Sequence, residues 1–173
     1  MFKRYIPYAC AKNIYDIDID FFLKHNIKIL FLDLDNTLDS YKASFPSKTA
    51  SEYIQKLKSN NITPIILSNN TGKRVSVYAK QLGIEYLPRT GKPFPFGINK
   101  FVKKNNFKKD EIMMVGDQLI TDIRAANSSK IKSIYVEKLV KEDQFTTRFN
   151  RIFERPIKKY LMKHNKFVEW RNL

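Results

Sequence analysis

At 173 residues, with 43% hydrophobic and 13% aromatic residues, the chain is long enough for one sizeable core and reads as a globular protein. No apolar run approaches the ~20 residues that span a bilayer, and the start "MFKRYIPYACAKN" makes a poor signal peptide. The formal net charge of +15 fits either the Lys-, Asn- and Ile-heavy usage of an AT-rich genome or a polyanionic partner, nucleic acid or anionic membrane.

Residues 1–27 read as an N-terminal extension packing on the core. Here the lone Cys10 excludes an internal disulfide or a cysteine-based zinc site and suits a reducing cytosol, while His25 and His164 lie too far apart for a His-rich metal site. An apolar strand, Lys28–Leu32, opens a core expected over 28–136. A helix follows Pro46 over Ser47–Ser59, with Ala50, Tyr53, Ile54 and Leu57 on one face. Strand Ile62–Leu67, helix Gly72–Leu82 (stopped by Gly83), strand Ile84–Leu87 and helix Phe96–Lys104 come next. Strand Ile112–Val115, helix Leu119–Ala126 and strand Ile131–Val136 close the series. Strands alternating with helices predict an α/β, Rossmann-like fold: a parallel sheet of about five strands, covered by helices on both faces.

In open parallel sheets, ligands bind beyond the carboxyl ends of the strands. The polar residues that follow the apolar runs are Asp33 and Asp35, then Ser68 and Asn69 in "SNNTGK", Lys92 in "RTGKPFPF", and Asp117 and Asp122 in "GDQLITD". Four acids and one lysine on one rim repel one another unless a divalent cation is shared. Magnesium takes oxygen ligands and keeps places for substrate phosphate, so the rim reads as a Mg²⁺ and phosphate site. An aspartate can serve as nucleophile and a second as acid and base, with a hydroxyl, backbone N–H groups and a lysine holding the phosphoryl oxygens. "NNTGKR" ends like a P-loop but lacks its first glycine and its Ser/Thr, and reads as a phosphate-facing turn.

"DLDNTL", "SNN", "GKP" and "GDQLITD" resemble, in order, the four motifs of haloacid-dehalogenase-superfamily (HAD) phosphatases. The longer stretches "IKILFLDLDNTL", "GKPFPF" and "VGDQLITDI" narrow this to the YqeG-type members of subfamily IIIA, which are similar to phosphatidylglycerophosphate phosphatases. "YIPYACAKNIYDID" and "TRFNRIFERPI" extend the resemblance over most of the chain. The resemblance implies Asp33 as nucleophile and Asp35 as acid/base, with Ser68 and Asn69 at the phosphate and Lys92 supporting it. It implies Mg²⁺ held by Asp33, the carbonyl of Asp35, Asp117 and, through water, Asp122; Asp39 lies near the site.

The intervals from Leu38 to Ser47 and from Asn70 to Lys92 are too short to hide a cap domain, which suits a phosphate presented by something large. Residues 145–173 form a basic amphipathic helical segment. Phe149, Ile152, Phe153, Ile157, Tyr160 and Leu161 make its stripe, opposed by Arg148, Arg151, Arg155, Lys158, Lys159, Lys163 and Lys166. Pro156 is expected to kink it or to start a second helix. The stripe fits packing on the core, with Phe149 to Phe153 turned inward, and equally an anionic membrane surface. The expected activity is Mg²⁺-dependent hydrolysis of a phosphomonoester, with phosphatidylglycerophosphate as the lipid substrate that the resemblance implies. The expected setting is cytoplasmic, at the inner membrane face. A soluble nucleotide or sugar phosphate, or a nucleic acid phosphate end, is the alternative substrate; a basic nucleic-acid-binding protein with a vestigial site is the alternative class.

Overall fold

The computed structural model describes residues 2–70, 72–140 and 145–173, and only the backbone of 145–149. Six strands form one sheet: β1 (Ala9–Ala11), β2 (Ile29–Leu32), β3 (Thr63–Leu67), β4 (Glu85–Leu87), β5 (Ile112–Gly116) and β6 (Lys132–Val136). Every pairing is parallel, in the order β1-β6-β5-β2-β3-β4. The sheet therefore has six strands, where the sequence leads one to expect about five. The extra strand comes from the N-terminal extension. Ala9 to Ala11 is too short to register as an apolar run, and it exists because β6 offers an open edge, pairing Ala9 with Ile134 and Ala11 with Val136.

The central strands are buried on both faces, as their unbroken apolar character requires. Leu30 and Leu32 of β2 point into one core, with Met113 and Val115 of β5. Ile29 and Phe31 point into the other, with Ile112 and Met114. The first core is closed by α1 (Ile19–Lys24), α2 (Lys48–Ser59) and α3 (Lys73–Leu82), through side chains such as Phe22, Ile54 and Tyr78. The second is closed by α4 (Phe96–Lys104) and α5 (Arg124–Ser129), through Ile98, Phe101 and Ala125. Ser47 caps α2 by accepting the Ala50 N–H at 3.1 Å.

From β2 the chain winds outward through β3 to β4, then returns to the other side of β2 to lay down β5 and β6. The order reverses between β2 and β5, the place where sheets of this kind form a crevice at the carboxyl ends. The 40–47 connection holds only turns, and 68–91 holds only α3 and β4, so among the described residues no folded cap covers that crevice.

The last long element, α6 (Phe145–Lys163), runs through Pro156 as one helix rather than two. Pro156 removes the N–H that the Ile152 carbonyl would accept; both residues are exposed, where solvent can take its place. Ile157 and Leu161 pack on Leu119, Ile123 and Tyr135. Ile152, Phe153 and Met162 remain exposed, so Phe153 does not turn inward as expected; Arg148 and Phe149 lie outside the described side chains. Replacing wholly buried Leu161 with alanine should cost about 2–5 kcal/mol. The melting temperature should fall by several degrees, and an unchanged value in thermal unfolding would mean that α6 is not docked.

Candidate active site

The crevice between β2 and β5 is where the acids meet. Asp33 continues β2, its N–H donating to the Val115 carbonyl at 3.0 Å, and Asp117 follows β5 directly. Asp122 returns to them because residues 119–123 form a wide π-helical turn instead of the regular helix expected from Leu119. Its Oδ2 accepts the Gln118 N–H at 3.1 Å, which fastens the start of that turn. Gly116 makes the approach possible: a Cβ there would lie 2.4 Å from the Asp122 Cβ and 2.5 Å from its carboxylate. Asp33, Asp117 and Asp122, all buried, each bring an oxygen within 4.8 Å of the others.

Lys92 is the cation at the centre. Its Nζ lies 2.6 Å from Asp33 Oδ1, 2.8 Å from Asp122 Oδ1 and 2.9 Å from the Leu67 carbonyl. Asn69 braces the loop that carries it. The Asn69 Oδ1 accepts the Lys92 N–H at 2.8 Å and the Thr90 hydroxyl at 2.8 Å, while its Nδ2 donates to the Lys92 carbonyl at 2.7 Å. Asn69, expected at the phosphate, thus has its side-chain amide engaged at both ends. Gly97 seats α4 against the same loop, since a Cβ there would meet the Thr90 carbonyl oxygen at 2.2 Å. Ser68 is buried, and its Oγ accepts the Asn70 N–H at 3.1 Å. The N-cap of α3 is Gly72.

Asp35 stands at the mouth, partly exposed. It pairs with Arg74 and accepts from Asn70 Nδ2 at 2.8 Å; Arg74 also donates to the Ala43 carbonyl at 2.9 Å, tying the 40–47 connection to the rim. Asp39 takes no part in the cluster. Its Oδ2 accepts the Ser47 N–H at 2.9 Å and the Tyr78 hydroxyl at 2.6 Å, fixing that connection from below.

Two cations at the site were not anticipated from the sequence. Arg74 sits in the first turn of α3, and its only signal is that it follows the phosphate-facing turn. Arg151 comes from α6 and contacts Asp117, with Glu154 beside it. Arg151 lies within "TRFNRIFERPI", a stretch that carries the family resemblance but assigns it no role; the hint was the surplus of acids over the single lysine on the rim.

These groups set the electrostatics. Burial pushes Asp33 up to about 7; Lys92 pulls it down, and Asp122 and Asp35 push it further up. Burial likewise holds Asp117 well above the carboxylate range, against the pull of Arg151. For Lys92, burial works toward a lower value, but Asp122 and Asp33 outweigh it and raise the ammonium above its ordinary value. Asp33 Oδ2 and Asp117 Oδ1 are buried with no hydrogen-bond partner. Unsatisfied carboxylate oxygens in a dry crevice are costly unless a cation takes them. The three oxygens, within 4.8 Å of one another, are hard donors of the kind that Mg²⁺ takes.

A family model described as haloacid dehalogenase-like hydrolase matches residues 41–130, a span that holds Lys92, Asp117 and Asp122 but begins after Asp33 and Asp35. Over 168 residues, the chain is 32% identical to "Probable phosphatase YqeG" of Bacillus subtilis (strain 168), covering 97% of each. A crystal structure of an uncharacterized protein from Listeria monocytogenes serotype 4b superposes with a TM-score of 0.56 at 18% identity, over 68% of this chain and 85% of that one. The cobalt-bound deoxy-D-mannose-octulosonate 8-phosphate phosphatase YrbI of Haemophilus influenzae gives 0.52 at 16% identity, over 65% and 69%. At such identities these two structures speak for the fold alone.

Two outcomes test the geometry. Millimolar Mg²⁺ should raise the melting temperature, as a ligand at a hundred times its dissociation constant adds about 2.7 kcal/mol; Asp117→Asn should abolish that rise. Gly116→Ala, which forces Asp122 to move, should lower turnover roughly ten-fold or more. Wild-type activity in that variant would mean that Asp122 can move freely.

Proposed function

For a chain that belongs to the haloacid dehalogenase-like hydrolase family and is a HAD-type phosphatase, we propose Mg²⁺-dependent hydrolysis of a phosphomonoester through an aspartyl-phosphate on Asp33. The observation that carries this reading is the convergence of Asp33, Lys92, Asp117 and Asp122 at the switch point, with two buried carboxylate oxygens lacking partners.

The Asp33 carboxylate attacks phosphorus, and the alcohol leaves with a proton from Asp35. Asp35 then takes a proton from water as that water attacks the acyl phosphate, which releases inorganic phosphate and restores Asp33. To act as the acid, Asp35 must carry a proton and part from Arg74, so their pairing belongs to the resting arrangement. Lys92 keeps the crevice charge in balance as negative charge builds on the phosphoryl oxygens, and the Ser68 hydroxyl donates to one of them. Asp33, Asp117, Asp122 and the Asp35 carbonyl would hold Mg²⁺, which supplies charge neutralisation for the incoming phosphate dianion.

The substrate we favour is phosphatidylglycerophosphate, converted to phosphatidylglycerol at the inner face of a membrane. Several features support a lipid. Among the described residues no folded cap covers the crevice. Phe45 (64% exposed) stands on the 40–47 connection, and Phe96 (76% exposed) with stacked Phe94 follows the Lys92 loop. On α6, exposed Ile152, Phe153 and Met162 lie among exposed Arg155, Lys159 and Lys163, a mixture suited to an anionic leaflet. Hollows of 420 and 590 Å³ share Tyr135, Glu137 and Lys158 and run from Arg151 along α6, with room for a headgroup. Among the described residues no helix is long and apolar enough to cross a membrane, so attachment would be peripheral.

Asp33→Asn should lower turnover by ~10³-fold or more while the protein stays folded; more than a tenth of wild-type turnover would remove the covalent mechanism. Phosphate release should be faster from phosphatidylglycerophosphate in mixed micelles than from nucleotides, sugar phosphates or 5′-phosphorylated oligonucleotides. A higher kcat/KM on any of the soluble substrates would overturn the lipid assignment.

A further inference from the structure

We propose that Arg151, delivered by α6, is a positioning residue for the metal-binding carboxylate Asp117, with Glu154 as its counter-ion. This rests on the Mg²⁺ site proposed above. The guanidinium grips Asp117 twice: Nη2 on the side-chain Oδ2, and Nη1 on the main-chain carbonyl at 2.7 Å. Nη1 also reaches Glu154 Oε2 at 3.1 Å. Glu154 is itself buried, and its Oε1 accepts the Ile120 N–H at 2.9 Å. Asn150 Nδ2 adds a 3.3 Å contact to Gln118 Oε1. Residues 117–120, the corner that carries Asp117 toward Asp122, are thus clasped from one side by a single helix.

The clasp decides which carboxylate oxygen is available. Without it, Asp117 presents two equivalent oxygens and can rotate. With Oδ2 on Arg151, Oδ1 is left as the free donor in a wholly buried site. A lysine cannot reproduce this, because one ammonium does not span a carboxylate and a carbonyl as a planar fork does. A cation beside a metal site also repels the metal. Glu154 offsets that charge, so the orienting effect outweighs the repulsion.

Three full-length proteins decide the matter: wild type, Arg151→Lys and Glu154→Gln. Mg²⁺ binding is measured by calorimetry, beside melting temperature and the Mg²⁺ dependence of turnover. Arg151→Lys keeps the charge and should weaken Mg²⁺ binding ten-fold or more, as loss of groups that orient metal ligands does. Its turnover should recover toward wild type at saturating Mg²⁺, which a merely structural defect would not permit. Glu154→Gln retains an acceptor for Ile120 but leaves the guanidinium uncompensated, and should also weaken binding. It carries the test if Arg151→Lys fails to fold. Mg²⁺ affinity equal to or tighter than wild type in a folded variant overturns the inference and leaves the proposed site standing. A wild-type protein that binds no Mg²⁺ overturns both.

Discussion

The repulsion among Asp33, Asp117 and Asp122 is the constraint around which the molecule is arranged. Three carboxylates share a space from which water is nearly excluded, and burial raises the proton affinity of Asp33 and Asp117. Such a cluster is tolerated in a folded protein when protons or cations neutralise part of it. Distant parts of the chain supply the cations: Lys92 from the loop before α4, Arg151 from α6, and Arg74 from α3 for Asp35 at the mouth. Even so, five carboxylates, counting Glu154, face three cations among the described residues, which leaves a formal charge of −2 when all are ionised. A divalent ion held by Asp33, Asp117 and Asp122 would neutralise that surplus.

The same constraint makes α6 part of the catalytic body rather than an appendage. Its inner face carries Ile157 and Leu161 into a small apolar cluster and Arg151 and Glu154 into the acid corner. Its outer face keeps Ile152, Phe153 and Met162 beside basic side chains. Of the two alternatives from the sequence, packing on the core is what the inner face does, and the outer face is exposed.

The rim loops divide their work in a comparable way. Asn69 and Gly97 fix the loop of Lys92, and Asp39 and Tyr78 fix the 40–47 connection. Each leaves a large aromatic side chain, Phe94 with Phe96 and Phe45 respectively, exposed in solvent.

The sequence alone determined the parallel α/β architecture, because apolar runs and helical stripes are local patterns that burial on two faces demands. It also brought Asp33, Asp117, Asp122 and Lys92 to one rim, because every strand in a parallel sheet ends on the same side, while Asp35 stands apart at the mouth. Tertiary structure decided the rest. β1 is three residues long and exists only because β6 has a free edge. The π-helical turn that brings Asp122 back depends on the absence of a Cβ at Gly116. Asn69 became a brace because the loop of residues 90–92 lies against it, and Arg151 became a site residue because α6 folds back across the corner after β5. Periodicity reports which face of an element is apolar; it carries no information about which distant charge will be laid against it, since that is set by how the elements pack.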